Sequence, residues 1–124
     1  MDIFALVKRT GTLLAETEDI TNQLAEAVDR QDEISIDLIT SMRYDPIDKL
    51  TIADLAVREH LVSLETEDQN RIRALLNGDD TLAQNEMEKA LAQQAASNMR
   101  LHQKLLEKDR NVNRKITRDK SIYQ

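Results

Sequence analysis

Cysteine is absent from this 124-residue chain, and aromatic residues, glycine and proline are scarce. Without cysteine, the chain can form neither a disulfide nor a Cys-ligated metal site, and it has no thiol nucleophile. With three aromatic residues, Phe4, Tyr44 and Tyr123, the core must be built from aliphatic side chains. Two glycines and one proline are too few to punctuate a sheet protein. These absences favour a bundle of helices.

Signals for export and for membrane insertion are also missing. No apolar stretch approaches the length of a transmembrane helix. Asp2 precedes a short apolar run and Lys8 and Arg9 follow it, which is the reverse of a secretory signal. We therefore expect a cytoplasmic protein without membrane insertion.

The charge of −6 is unevenly distributed along the chain. Residues 1–106 carry 11 Lys/Arg and 20 Asp/Glu, whereas residues 107–124 carry 6 and 3. An acidic body argues against nucleic acid as the main partner. The basic end could touch an anionic partner, be simply solvated, or fold back on the acidic body. We therefore divide the chain into a helical bundle over 1–106 and a basic, sparsely apolar helix end over 107–124.

Apolar residues recur every three or four positions along most of the chain, which is the stripe of a helix packed against other helices. The pattern predicts a first helix over residues 2–29, with Gly11 inside it as a point where a neighbouring helix approaches or as a tolerated glycine. A turn at 30–32, with Asp32 capping the next helix, makes the first two helices antiparallel. The fold class is all-α, an antiparallel bundle of three long helices.

The second helix is predicted over residues 33–76, with Leu38, Ile39 and Met42 on its buried face and a stop at Gly78. Pro46 predicts a kink or break, with Asp45 as a cap. Unbroken, this helix would be about 66 Å long against about 42 Å for the first. It must therefore bend near Pro46, break near residue 66, or overhang.

The third helix is predicted to start after Asp79 and Asp80, either of which could cap it. Gln94 and Asn98 fall on its inner stripe, where a buried amide needs partners and can fix the register of a bundle. Apolar content thins beyond Leu106, so we expect the end of this helix to overhang.

Catalytic patterns are absent. His60 is followed by Leu61, but the sequence departs from the phosphotransfer pattern that resembles His-x-Leu-Lys-Gly. No Glu-x-x-His pair, Gly-rich phosphate loop or Gly-x-Ser-x-Gly elbow occurs. We predict that the chain is not an enzyme and uses no metal or cofactor.

The order of these features resembles a known family. A long first helix, a short polar turn and then residues 41–50 (SMRYDPIDKL) resemble the small flagellar export chaperones of the FlgN type, and FliT-type relatives share the size and helix order. Asparagines beside apolar residues at 98–101 and 111–113 resemble the long third helix of that family. The resemblance covers nearly the whole chain.

This resemblance implies a cytoplasmic, non-enzymatic chaperone. Such proteins hold hook–filament junction proteins or the filament cap protein before type III secretion, protect the C-terminal helical segment of the client, and deliver it to the export apparatus. A helix that matches the apolar stripe of the client can cover it. The residues expected to face the partner are Leu101, Leu105, Leu106, Val112, Ile116, Ile122 and Tyr123.

Two points stay open at this stage. Leu101 and Leu105 fit a core position as well as a partner-facing one, whereas the predicted first helix is too short to cover Val112 and Ile116. The alternative functions are a coiled-coil scaffold that forms a homodimer through the same stripe, and, more remotely, a phosphotransfer domain that uses His60.

Overall fold

The computed structural model describes residues 2–122, and the side chains of residues 2–118. The described chain is helical and contains no strand, so the all-α prediction is confirmed. The expected second helix is divided into three pieces by a bend at Arg43 and a short loop at 63–65. The helices are α1 (Ile3–Asp29), α2 (Glu33–Met42), α3 (Tyr44–Val62), α4 (Thr66–Leu76) and α5 (Glu86–Ile122).

The bend between α2 and α3 comes three residues before Pro46. Arg43 keeps helical backbone angles (φ −71°, ψ −23°), and its N–H still donates to the carbonyl of Ile39 at 3.2 Å. Pro46 lies in the first turn of α3, where its missing N–H costs no helical hydrogen bond. The expected cap at Asp45 is wrong, because Asp45 is already helical and pairs with Lys49 at 3.0 Å. The helices α2 and α3 therefore form one bent rod.

Two tight turns end α1 and α4 as the sequence predicts. Gln31 follows α1 with a positive φ of 56°, and Gly78 follows α4 with a φ of 84°. Asp32 caps α2, because its carboxylate accepts the Ser35 N–H at 3.1 Å and the Ser35 hydroxyl at 2.6 Å. Both bonds favour the charged carboxylate, so they hold the pKa of Asp32 below its ordinary value.

The start of α5 differs from the expectation. Asp79 and Asp80 do not cap it, because Asp79 instead accepts hydrogen bonds from the N–H and hydroxyl of Thr81, which also lower the pKa of Asp79. The helix begins at Glu86, and the Asn85 side chain caps it by accepting the Glu88 N–H at 2.9 Å. Residues 77–85 therefore form a loop, which includes the residues that were expected to begin the third helix.

Helix α1 is the centre of the fold and runs parallel to α5. It packs along α2, α3 and α5, while α4 packs on the first turns of α5. Near the start of α1, Asn98 Nδ2 donates to the carbonyl of Val7 at 2.8 Å. Near its end, Lys115 Nζ lies 2.7 Å from Asp29 Oδ1. Both pairs join residues 86 to 91 positions apart in sequence, so the two helices share one direction and one register.

Because Gly11 has no side chain, the amides of Gln94 and Asn98 on α5 fit beside it. Gln94 Nε2 donates to Asn98 Oδ1 at 2.9 Å, and Asn98 is buried. A Cβ atom on residue 11 would come within 2.6 Å of Asn98 Oδ1 and 2.7 Å of Gln94 Nε2. Gly11 is therefore a point of close approach between helices, and the buried amide has the partners that the sequence analysis required.

Two aliphatic clusters lie at the two ends of this contact. The first joins the start of α1 to α4 and α5, and the second joins the end of α1 to α2 and α5. The buried members of the first are Val7, Ile72, Leu75, Leu91, Ala92 and Ala95. The buried members of the second are Leu24, Ala27, Val28, Ile39 and Val112.

Replacing Gly11 by alanine tests the amide contact. Alanine gains about 1 kcal/mol of helix propensity, but it displaces Asn98 and leaves its buried amide unpaired at about 1–3 kcal/mol, while the Val7 carbonyl keeps its bond within α1. We expect Gly11→Ala to lower the free energy of unfolding by about 1 kcal/mol in urea denaturation. In an Asn98→Ala background the same change should be neutral or stabilising. Equal destabilisation in both backgrounds would contradict this role for Gly11.

An ion pair joins the bend of the α2–α3 rod to α5. Arg43 Nη2 lies 2.5 Å from Asp109 Oδ1, and only 16% and 29% of the two side chains are exposed. The backbones of the α2–α3 rod and α5 do not come into contact, so the two approach each other here through side chains. Since α1 already contacts both rods, this pair fixes how far apart they lie.

Breaking this pair from one side should be costly. We expect Asp109→Asn to lower the free energy of unfolding by about 1–3 kcal/mol, because the Arg43 charge then stays partly buried without its counter-charge. Arg43→Met with Asp109→Asn should recover part of that loss. The control is Asp45→Asn, which breaks the exposed Asp45–Lys49 pair and should cost under about 0.5 kcal/mol. Equal losses in the two single variants, measured by thermal and urea unfolding, would contradict the assignment.

Candidate partner-binding surface

The predicted partner residues of α5 divide into buried and accessible positions. Val112 is 3% exposed and belongs to the cluster with Leu24, Val28 and Ile39. The expectation that Val112 faces a partner is therefore wrong for the folded chain. Leu105 is also buried, at 6% exposure, so the core alternative for this residue is the one the structure supports.

The remaining residues of that set are less enclosed. Leu101 is half-buried, and Ile116 packs against the cluster around Val112. Leu106 is exposed on the surface of α5. Ile122 ends α5 but its side chain lies outside the described residues, as does Tyr123. Among the described members, Leu106 is therefore the residue that a partner can reach directly.

The register of α5 explains why Val112 and Ile116 are covered. A third helix starting near residue 80 would have left Val112 beyond the end of α1. Because α5 begins at Glu86 and Asn98 lies beside Val7, roughly the first eight residues of α5 extend past the start of α1 instead. There α4 covers them. The overhang at the other end is confined to the turns after Lys115, and α5 continues without a break through residue 106.

The basic part of α5 docks on the acidic side of α1. Lys104 and Lys108 lie 3.8 and 3.4 Å from Glu18 Oε2, and Lys115 reaches Asp29. The exposed Lys115–Asp29 pair contributes about 0–1 kcal/mol, whereas the Glu18 side chain is only 19% exposed. The alternative in which the basic end folds back on the acidic body is the one that the structure shows.

Two alanine substitutions test whether the end of α5 is packed into the core. Val112→Ala should lower the free energy of unfolding by about 2 kcal/mol, because it removes two buried methyl groups and leaves a cavity. Leu106→Ala, in the same helix but exposed, should cost less than about 1 kcal/mol. Urea denaturation of both variants measures the difference. Equal costs would show that the end of α5 is not part of the core.

The largest exposed apolar surface lies on the bent rod formed by α2 and α3. Of the twelve large apolar side chains that are exposed within residues 2–118, eight belong to this rod. Six of them are 53% to 84% exposed, and at 3.6 residues per turn they fall in a sector of about 120° that points away from α1. We call this sector the outer face. Its apolar residues are Ile34, Leu38, Tyr44, Ile52, Leu55 and Val62.

The charges of the outer face have one sign. Within the same sector lie Asp37, Asp45, Asp48 and Glu59, all exposed, and no Lys or Arg. Asp45 is paired with Lys49, which lies at the margin of the sector. The other three carboxylates form no ion pair among the described residues. The outer face is therefore apolar and anionic.

The sequence analysis missed this surface because it considered only one stripe of apolar residues on the second predicted helix. Leu38 and Met42 were expected on the buried face but are 63% and 44% exposed, whereas Ile39 is buried as expected. The buried stripe of the rod continues from Ile39 to Pro46 and Ala53. A second stripe, at Ile34, Leu38, Ile52, Leu55 and Val62, was visible in the sequence as apolar residues out of phase with the first.

No catalytic arrangement accompanies this surface in the described chain. His60 is half-buried, and Arg58, two residues before it, pairs with Asp54 at 3.0 Å. Residues 2–118 bring together no group of three His, Asp or Glu side chains that could hold a metal ion. Within the described helices, none combines the length and hydrophobicity that a membrane span requires.

Comparison with known proteins adds no relative. The chain matches no protein-family model, no curated protein and no solved structure. The fold and the outer face therefore define the class as a small all-helical protein with an exposed apolar and anionic helix face.

Proposed function

We propose that this protein is a cytoplasmic, non-enzymatic chaperone of the FlgN type. It would hold the C-terminal helical segment of a hook–filament junction protein or the filament cap protein, prevent premature association, and hand the client to the export apparatus. The observation that supports this proposal is the outer face, where large apolar side chains stay exposed along a helical rod. Exposed apolar patches of this kind mark sites of protein interaction.

The proposed client matches this surface physically. A helical segment destined for a coiled coil exposes an apolar stripe and self-associates unless another surface covers it. The rod of α2 and α3 spans residues 33–62, about 45 Å. A client helix of similar length could lie along the rod. The apolar stripe of the client and the outer face would then cover each other.

The expected affinity is moderate. Six side chains at about 1.5–3 kcal/mol each give a gross gain of about 9–18 kcal/mol. Association and side-chain ordering remove an estimated 4–15 kcal/mol of that gain. The remainder ranges from no net binding to about 14 kcal/mol, and we expect its lower half, which corresponds to dissociation constants in the micromolar range or weaker. Release at the export apparatus requires reversible binding of this kind.

The same face could instead hold a second copy of the chain, which is the scaffold alternative. Sedimentation of the free protein separates the two functions. The chaperone proposal expects a monomer at micromolar concentration, with its outer face open to the client. A tight dimer through this face would favour the scaffold.

Calorimetric titration tests the proposal directly. We expect the full chain to bind the C-terminal helical segment of a hook–filament junction or filament cap protein one to one, with a micromolar dissociation constant and a negative heat-capacity change from apolar burial. Scrambled peptides of the same composition serve as controls and should not bind. The proposal fails if none of these segments binds at about 100 μM while circular dichroism shows a folded chain.

A further inference from the structure

We infer that the outer face binds an amphipathic helix whose apolar residues come in two groups and are flanked by Lys and Arg. This inference rests on the proposed function in one respect, the helical nature of the partner. It adds the location of the surface, the charge of the partner and the spacing of the anchors on it.

The charge preference follows from the carboxylates of the outer face. Asp37, Asp48 and Glu59 lie among its apolar residues and form no ion pair within the described structure. The nearest cations of the rod are already engaged, because Lys49 pairs with Asp45 and Arg58 with Asp54. A partner that covers the apolar residues must lie beside three uncompensated negative charges. Lysine or arginine at its flanks would satisfy them, and glutamate or aspartate there would be repelled.

The spacing follows from the distribution of the apolar residues. Ile34 and Leu38 form one group, Ile52, Leu55 and Val62 form the other, and Tyr44 lies alone between them. Ile34 and Ile52 are five helical turns apart, about 27 Å. Asp45 and Asp48 occupy the interval between the groups. A matching helix carries apolar anchors about 18 residues apart with basic residues between them.

A second copy of this chain fits the face less well. Pairing two outer faces brings together two sets of the same carboxylates, with no free cation on either side. In a symmetric antiparallel pair centred on the middle of the rod, Asp48 would face its own counterpart. Like charges placed directly opposite one another weaken such an interface, and the chain carries a net charge of −6 overall.

Two designed peptides test the charge preference. Both are amphipathic helices of about 28 residues with identical apolar groups 18 residues apart, flanked by Lys in one and by Glu in the other. We expect the full chain to bind the Lys peptide at least about tenfold more tightly at low salt, with the difference shrinking as salt screens the charges. Equal affinities for the two peptides would overturn the inference.

Charge reversal on the protein provides the reciprocal test. Asp48→Lys with Glu59→Lys should weaken binding of the Lys peptide at least about tenfold and strengthen binding of the Glu peptide. Both residues are exposed, so the fold should survive, as circular dichroism can verify. A doubly substituted chain that still prefers the Lys peptide would refute the inference.

Substitutions of the apolar anchors test the location. Ile52→Ser with Leu55→Ser should reduce binding of the Lys peptide at least about tenfold. Met87→Ser is the matched control, because Met87 is 68% exposed but lies on α5, and it should leave binding unchanged. Undiminished binding by the Ile52–Leu55 variant, or an equal loss in the Met87 variant, would overturn the assignment.

Failure of this inference and of the proposed function can be told apart. If the Lys peptide binds as expected and no flagellar segment does, the surface is real and the chaperone role is wrong. If flagellar segments bind but the two peptides bind alike, the charge preference is wrong and the chaperone role survives. A dimer in sedimentation that Ile52→Ser with Leu55→Ser dissociates would assign the face to a second copy and overturn the inference.

Discussion

The hydrogen bond from Asn98 to the backbone of Val7 fixes the register of α5 on the central helix α1. Asn98 is buried, and the absence of a side chain at Gly11 leaves room for it and for Gln94. A buried amide has few alternatives, because sliding α5 by one turn would leave the Asn98 donor unpaired. A single polar contact thereby selects one arrangement among several that the aliphatic stripes would tolerate.

The position of every other surface depends on this register. It moves the first turns of α5 beyond α1, where α4 covers them, and it brings Val112 against the end of α1. The lysines of α5 come within reach of Glu18 and Asp29 on the acidic side of α1. With α5 occupied in this way, the rod of α2 and α3 retains an uncovered apolar face. The proposed partner site therefore lies on this rod and not on α5.

Much of the fold was predictable from the sequence, because local signals have local causes. The helical class, the cap at Asp32, the stop at Gly78 and the break near Pro46 each follow from the preferences of one or two residues. The buried amides of α5 were also recognised as groups that need partners. The cap at Asp79 or Asp80 failed because Asp79 satisfies its own turn through Thr81, and Asn85 was an equally good cap a few residues later.

The site was less predictable, because it depends on the register between distant segments. The sequence shows that Val112 is apolar, but its burial requires knowing that Asn98 lies beside Val7, 91 residues earlier. The outer face was missed for a similar reason. Ile34, Leu38, Ile52 and Leu55 form one stripe and Ile39 and Ala53 another, and periodicity alone does not say which stripe faces α1.

Native-state hydrogen exchange along α5 tests the central claim, that the second half of this helix is packed against α1 in the free protein. Amides of residues 105–116 should exchange with protection close to that of residues 24–28 of α1, because Val112 shares a core cluster with Leu24 and Val28. If residues 105–116 instead exchange as fast as a fraying helix end while α1 stays protected, the register of α5 on α1 and the burial of Val112 are wrong.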